Sequence, residues 1–162
     1  MTKNGTKQEL TGVYFSPVGN IVLTSDGTAL TGLRFAEATN ENPARDIPPL
    51  ADACRWLDLY FSGANPCFTP RLAPKGTPFQ QSVWRELLAI PYGHTVSYGH
   101  IAQRLRCRSA QAVGGAVGRN PIALIIPCHR VIGSDGQQTG YAYGLDRKQW
   151  QLSHELMNSI SC

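Results

Sequence analysis

The sequence predicts two small units in series: an α/β unit, made of a small antiparallel sheet plus one helix, then a mostly α-helical unit carrying a helix-turn-helix. Three observations lead there. Three apolar stretches separated by turn residues open the chain. One amphipathic helix follows and runs into a proline-bearing segment without periodicity. Beyond it, apolar residues recur mostly at helical spacing. A chain of 162 residues can bury one good core, or two small subdomains packed together, and little more. The units expected are residues 1–75 and residues 76–162.

The elements follow in order. Val13 to Phe15, Ile21 to Leu23 and Leu30 to Phe35 are apolar, and Pro17-Val18-Gly19 and Asp26-Gly27 supply the turns of a meander. Leu50 to Phe61 repeats apolar residues at helical spacing and meets Gly63, a common residue just past a helix end. Residues 64–78 hold four prolines and connect the two units. Thr77-Pro78-Phe79-Gln80 offers a cap, a proline at the first helical position and a glutamine that closes a capping box. The helix predicted from there runs to about Ala89 and buries Phe79, Val83, Trp84, Leu87 and Leu88.

Ser97 caps a short helix with Ile101 and Leu105 inward. Ser109 starts a second, with Ala112, Val113, Ala116 and Val117 inward. Such a pair forms a helix-turn-helix, an arrangement also common in folds that never touch DNA. Gly114, Gly115 and Gly118 weaken the second helix but let another backbone, of protein or of DNA, come close; protein packing is the simpler explanation. Asn120-Pro121 ends that helix, and Ile122 to Ile126 predict a buried strand that delivers Pro127-Cys128-His129-Arg130-Val131.

Composition narrows the function classes. With 42% hydrophobic and 16% charged residues the chain matches a soluble globular protein, and no apolar run reaches bilayer length. The first thirty residues lack the features of a secretory signal, so the expected location is the cytoplasm. Five cysteines at 54, 67, 107, 128 and 162 share no repeated short spacing, which argues for reduced thiols over a disulfide framework or a four-thiolate zinc site. A net charge of +4 suits a protein held near phosphates but does not decide the matter.

Cys128 is the candidate nucleophile, since a proline restrains the backbone before it and a strand end presents it rigidly. An inert buried cysteine is the alternative. Neighbours in an extended chain point to opposite faces, so His129 is expected to reach Cys128 through a water. The imidazole would also need a carboxylate, and Asp135, Asp146 and Glu155 are the candidates.

From Gly76 to Glu155 the sequence carries GTPFQQSVW, IPYGHTVSYGHIA, AVGGA, NP, IIPCHRVIG, DG, TGYA and RKQWQLSHE. In order and spacing these closely resemble the O6-alkylguanine-DNA alkyltransferases, also called methylated-DNA-protein-cysteine methyltransferases. The first 70 residues resemble that family's ribonuclease-H-like α/β domain only in position and length.

The resemblance implies roles. Cys128 would accept the alkyl group, with His129 linked to it through water and Glu155 linked to His129. Tyr98 would rotate the target nucleotide and protonate the departing guanine, and Asn120 would brace the active-site loop against the recognition helix. Val131, Tyr141, Ala142, Tyr143 and Lys148 would form or support the base pocket, and Arg130 would be paired inside the fold. Gln111, Ala112, Gly114 and Gly115 would meet DNA, the second helix entering the minor groove. The implied partner is double-stranded DNA bearing alkylated guanine, bound by a monomer without cofactor or metal. The reaction implied is a single transfer of a methyl or other small alkyl group from O6-alkylguanine, with O4-methylthymine left open as a second substrate. Some members hold zinc in the N-terminal domain, but no cysteine precedes Cys54 and no histidine precedes His94, so no zinc is expected. Nor is there the N-terminal four-cysteine domain of transcription-regulating members, which implies a constitutive repair protein.

Three departures stand out. Gln111 occupies the place of the arginine that fills the gap left by the flipped base. The turn from Leu105 to Ser109 is one residue shorter than usual. Tyr143 replaces a glycine, which predicts a narrower entrance closed to bulky adducts. Two rivals remain: an alkyltransferase-like module that binds lesions without reacting, which would lack the cysteine, and a cysteine hydrolase using Cys128 and His129, which would need an oxyanion hole.

Overall fold

The computed structural model describes residues 9–37, 44–133 and 141–159. Three strands, β1 (Leu10–Ser16), β2 (Gly19–Ser25) and β3 (Leu30–Phe35), form an antiparallel meander in the order β1-β2-β3. Helix α1 (Pro48–Phe61) packs across it. The chain leaves α1 through Gly63 at φ +96°, a left-handed conformation that glycine adopts without a Cβ penalty.

The predicted capping box is present on α2 (Pro78–Leu88): Gln80 N–H donates to Thr77 Oγ1 at 3.1 Å, and Thr77 N–H donates to Gln80 Oε1 at 3.0 Å. Phe79 and Leu88 do not join Val83, Trp84 and Leu87 in the core; they stand 36% and 43% exposed. The apolar stripe of α2 is therefore narrower than its composition. Helices α3 (Tyr98–Arg104) and α4 (Ala110–Gly118) are capped by Ser97 and Ser109 as expected, and Arg106 turns the chain between them at φ +54°. Ala112 is exposed rather than inward, whereas Val113, Ala116 and Val117 are buried. Trp84 Nε1 donates to Ala116 O at 2.9 Å and ties α2 to α4.

The strand expected over residues 122–126 is absent. Ile122 makes a single bridge with Leu33, after which the chain turns. Leu124 has φ +68°, and Ile126 N–H donates to Ile122 O at 3.1 Å. All five side chains are nonetheless at most 5% exposed. The apolar run thus reports burial, not extension, and the strain at Leu124, of order 1–3 kcal/mol, is outweighed by five buried apolar side chains. Cys128 consequently opens a 3-10 turn, Cys128–Arg130, instead of ending a strand.

A two-stranded parallel pairing then joins β4 (Val96–Ser97) to β5 (Val131–Ile132), fixing the residue before Tyr98 against the segment just after Cys128-His129-Arg130. Helix α5 (Leu145–Ser159) closes the described chain. Leu23, Leu33 and Leu57 from the first half and Val83, Ile101, Ile126 and Val131 from the second share one apolar core. Cys54, Cys67, Cys107 and Cys128 are unbridged. Among the described residues no helix is long and apolar enough to cross a membrane.

Candidate active site

Cys128 lies 7% exposed at a narrow pocket. Tyr98 at the start of α3, Asn120 just past α4, and Tyr141, Ala142, Tyr143 and Lys148 line it. Asn120 does what a hinge requires: its Nδ2 donates to Ile126 O at 2.7 Å, and its Oδ1 accepts from Ile122 N–H at 3.0 Å. The end of α4 is thereby pinned to the loop that carries the thiol. Val131, whose backbone is the part expected at the base pocket, has a fully buried side chain, and its carbonyl accepts from Lys148 Nζ at 2.6 Å.

Behind the pocket the chemistry becomes fully enclosed. His129 is 0% and Glu155 1% exposed, and His129 Nε2 contacts Glu155 Oε2. Of the three candidate carboxylates, Glu155 is thus the one on the imidazole; Asp146 is exposed, and Asp135 falls outside the described residues. Arg130 is paired inside the fold as expected. Its Nε donates to Glu155 Oε1 at 2.7 Å, its Nη1 donates to Ile90 O at 2.8 Å, and its guanidinium lies over the Tyr92 ring.

Two donors to Glu155 were not anticipated: the Tyr60 hydroxyl on Oε2 at 2.7 Å and Gly93 N–H on Oε1 at 3.4 Å. The signal for Tyr60 was present. A tyrosine on the buried face of a helix needs a partner for its hydroxyl.

These contacts set the protonation states. Burial alone would raise the Glu155 carboxyl, but His129 and Arg130 outweigh it and hold the group well below the usual carboxylate range. It is therefore an ionised acceptor, and His129 Nε2 must carry a hydrogen. Burial lowers the His129 pKa against the opposing pull of Glu155, so the resting imidazole is neutral. Its Nδ1 is then a buried acceptor, with no protein partner among the described residues. Burial raises the Cys128 thiol, with the Asn120 amide and then the Lys148 charge pulling the other way. A protonated thiol thus sits one residue from a neutral imidazole whose lone pair is open. Among the described residues, no group of three His, Cys, Asp or Glu side chains could hold a metal ion.

The expected DNA contacts are on one helix. Gln111, Ala112 and Gly115 of α4 are exposed and Gly114 is half-buried. A Cβ built on Gly114 would meet the Tyr98 ring at an ordinary 3.8 Å, and one on Gly115 would meet nothing within 4 Å. Packing inside the described protein therefore does not require either glycine.

Comparison with known proteins finds matches to both halves of the chain. Residues 78–157 match the family model described as the DNA binding domain of 6-O-methylguanine DNA methyltransferase, and residues 10–74 match the ribonuclease-like domain of the same proteins. A methylated-DNA–protein-cysteine methyltransferase of Methanosarcina barkeri is 48% identical over 149 residues, 88% of this chain and 94% of that protein. The Mycobacterium leprae protein of the same name is 44% identical over 155 residues, 90% and 93% of the two chains. Among solved structures, the O6-methylguanine methyltransferase of Mycobacterium tuberculosis superimposes with a TM-score of 0.83 at 41% identity, covering 93% of this chain and 94% of that one. The M. tuberculosis OGT crystallised in complex with DNA gives 0.82 at 42% identity, covering 91% and 93%. On this identity and coverage, the chain belongs to the methylated-DNA–protein-cysteine methyltransferase family.

Proposed function

We propose that this protein repairs alkylated DNA by moving a methyl or other small alkyl group from the 6-oxygen of guanine onto Cys128, once per molecule. The observation that carries the reading is the buried chain of groups Cys128, His129 and Glu155 at a pocket lined by Tyr98 and Asn120. His129 Nδ1 accepts the thiol proton through a bridging water, while Glu155 stabilises the imidazolium that forms. The Cys128 sulfur attacks the alkyl carbon in line. A C–S bond forms, the C–O bond breaks, and its electron pair stays with the guanine, which takes a proton from the Tyr98 hydroxyl. The resulting thioether has no good leaving group, so the site is spent.

The 6-oxygen is inaccessible inside a duplex, so the nucleotide must leave the stack, at a cost of a few kcal/mol. Helices α3 and α4 act here as a helix-turn-helix. The exposed face of α4 enters the minor groove, and exposed Arg106, Arg108 and Arg119 near its two ends suit phosphates. Gly115, with open space before it, suits a backbone or sugar edge at close range. Incubation with a duplex containing O6-methylguanine should add one methyl to the peptide that contains Cys128; a methyl found on any other cysteine would overturn the assignment.

Gln111 gives a further prediction. Its amide is shorter than an arginine and uncharged, so it fills the vacated stack poorly. Gln111→Arg should speed single-turnover repair of duplex DNA by about threefold to thirtyfold, recovering ~0.7 to 2 kcal/mol of the flipping cost. Single-stranded substrate, which gives up less stacking, should respond less. Equal acceleration on both would place Gln111 away from the stack.

A further inference from the structure

We infer that Tyr60, carried by α1 of the N-terminal half, is a positioning residue of the transfer reaction: its hydroxyl holds Glu155 Oε2 on the imidazole of His129. The inference rests on the reading of Cys128, His129 and Glu155 given above.

Glu155 is 1% exposed, and each of its two oxygens is shared by two donors. Oε1 takes Arg130 Nε and Gly93 N–H, while Oε2 is shared by His129 and Tyr60. The last torsion of a glutamate is broad and roughly two-fold, so its own rotamer preference does not fix the carboxylate plane. The donors fix it. Arg130 and His129 are neighbours on one turn, and either could carry the carboxylate with it if that turn shifted when the base enters. Tyr60 is anchored elsewhere: it is 0% exposed, its ring stacks on Trp56 at 5.3 Å, and the ring meets Phe61 and Tyr92 edge-on. Its backbone carbonyl is also held, 2.7 Å from His154 Nε2. A phenylalanine would fill that place equally well. What tyrosine adds is one hydroxyl aimed at the carboxylate.

The hydroxyl also tempers the charge. Burial and the neighbouring Glu155 push the Tyr60 pKa well up, so the group remains a donor at every pH of interest. By occupying Oε2 it reduces the pull of the carboxylate on His129 and keeps the imidazole from becoming too strong a base. The other groups facing this unit are Tyr92 and Gly93 N–H from the turn before β4, Cys128 and Arg130 from the 3-10 turn, and Lys148 and His154 from α5, the His154 ring lying 5.2 Å from that of Tyr60. None of them bonds Oε2 among the described residues.

The test is single-turnover methyl transfer as a function of pH for the native protein, Tyr60→Phe, and protein with 3-fluorotyrosine placed at position 60. Tyr60→Phe should lower the plateau rate by about threefold to tenfold and move the acid limb to higher pH, because His129 then holds its proton more tightly. The fluorinated ring donates more strongly. It should restore the plateau to within about twofold and move the acid limb below that of the native protein, an ordering that altered packing would not produce. Trp56→Phe, which disturbs the ring stack but keeps the hydroxyl, should leave the acid limb in place. A Tyr60→Phe profile superimposable on the native one would overturn the inference, as would an unmoved limb in the fluorotyrosine protein, a readout that survives if Tyr60→Phe does not fold. Mapping the methyl in native protein separates the two readings. Label away from Cys128 overturns the parent reading, whereas label on Cys128 with an indifferent Tyr60 overturns only this one.

Discussion

Cys128→Ser is expected to bind a duplex containing O6-methylguanine within a few fold of the native protein and to accept no methyl. The substitution exchanges one small atom at a site 7% exposed inside the pocket, away from the arginines that suit phosphates. Binding should therefore survive. Reactivity should not, because the thiolate is the nucleophile and a serine hydroxyl remains protonated under the same base. A fall of more than ~10³-fold in single-turnover rate is expected for removal of the attacking group. Continued labelling of the variant would move the acceptor to another cysteine. Cys67, exposed, would be the first to examine, since Cys54 is buried in α1.

Glu155→Gln should damage both rate and fold. A glutamine has one acceptor oxygen and one donor NH2, yet the site presents donors to both positions: His129 and Tyr60 on one side, Arg130 and Gly93 N–H on the other. Whichever way the amide turns, its NH2 faces donors. Removing one partner of a buried ion pair typically costs ~3 to 5 kcal/mol, and that loss is expected in urea unfolding at pH 7. The transfer rate should fall by about 10- to 1,000-fold, since the imidazolium loses its counter-charge. The Cys128 pKa should rise with it, as the relay to His129 weakens.

The stability difference should depend on pH with a defined sign. The native Glu155 carboxyl is held below its unfolded value of about 4.3, so its contribution is fully present above that value and is lost as pH falls toward the native one. The gap between native protein and variant should narrow from about pH 5 downward. A gap that stays constant down to pH 3 would show that the charge of Glu155 does not hold the site.

How much of this was legible in the sequence varies by element. The meander, α1, α2 and the two capped helices announce themselves by local chemistry: turn residues, serine caps and a capping box act within four residues of each other. Residues 122–126 differ from the expected strand because five consecutive apolar side chains specify burial while leaving the backbone undetermined; the bridge to Leu33 and the turn at Leu124 are long-range outcomes. The parallel pairing of Val96–Ser97 with Val131–Ile132 is equally non-local, and two residues per strand leave no periodicity to read.

The site divides the same way. Cys128 and His129 are adjacent and could be singled out from residue type alone, but choosing Glu155 over Asp135 or Asp146 needed the family resemblance. Tyr60 lies 95 residues from Glu155, and nothing in its neighbourhood encodes that distance. Position 112 marks another limit. Helical spacing put Ala112 inward beside Val113, whereas the resemblance put it at DNA; it is exposed.

Cys128 is expected to receive one alkyl group and then to be spent. Titrating a fixed amount of protein with duplex DNA whose O6-methylguanine carries a labelled methyl, and counting label bound to protein, tests it most directly. Label should rise linearly with DNA and stop at one methyl per chain, with all of it on Cys128 and none released. No label despite tight binding would make the protein a lesion binder, and continuous release of product with catalytic amounts of protein would make it a hydrolase. Either result contradicts the account.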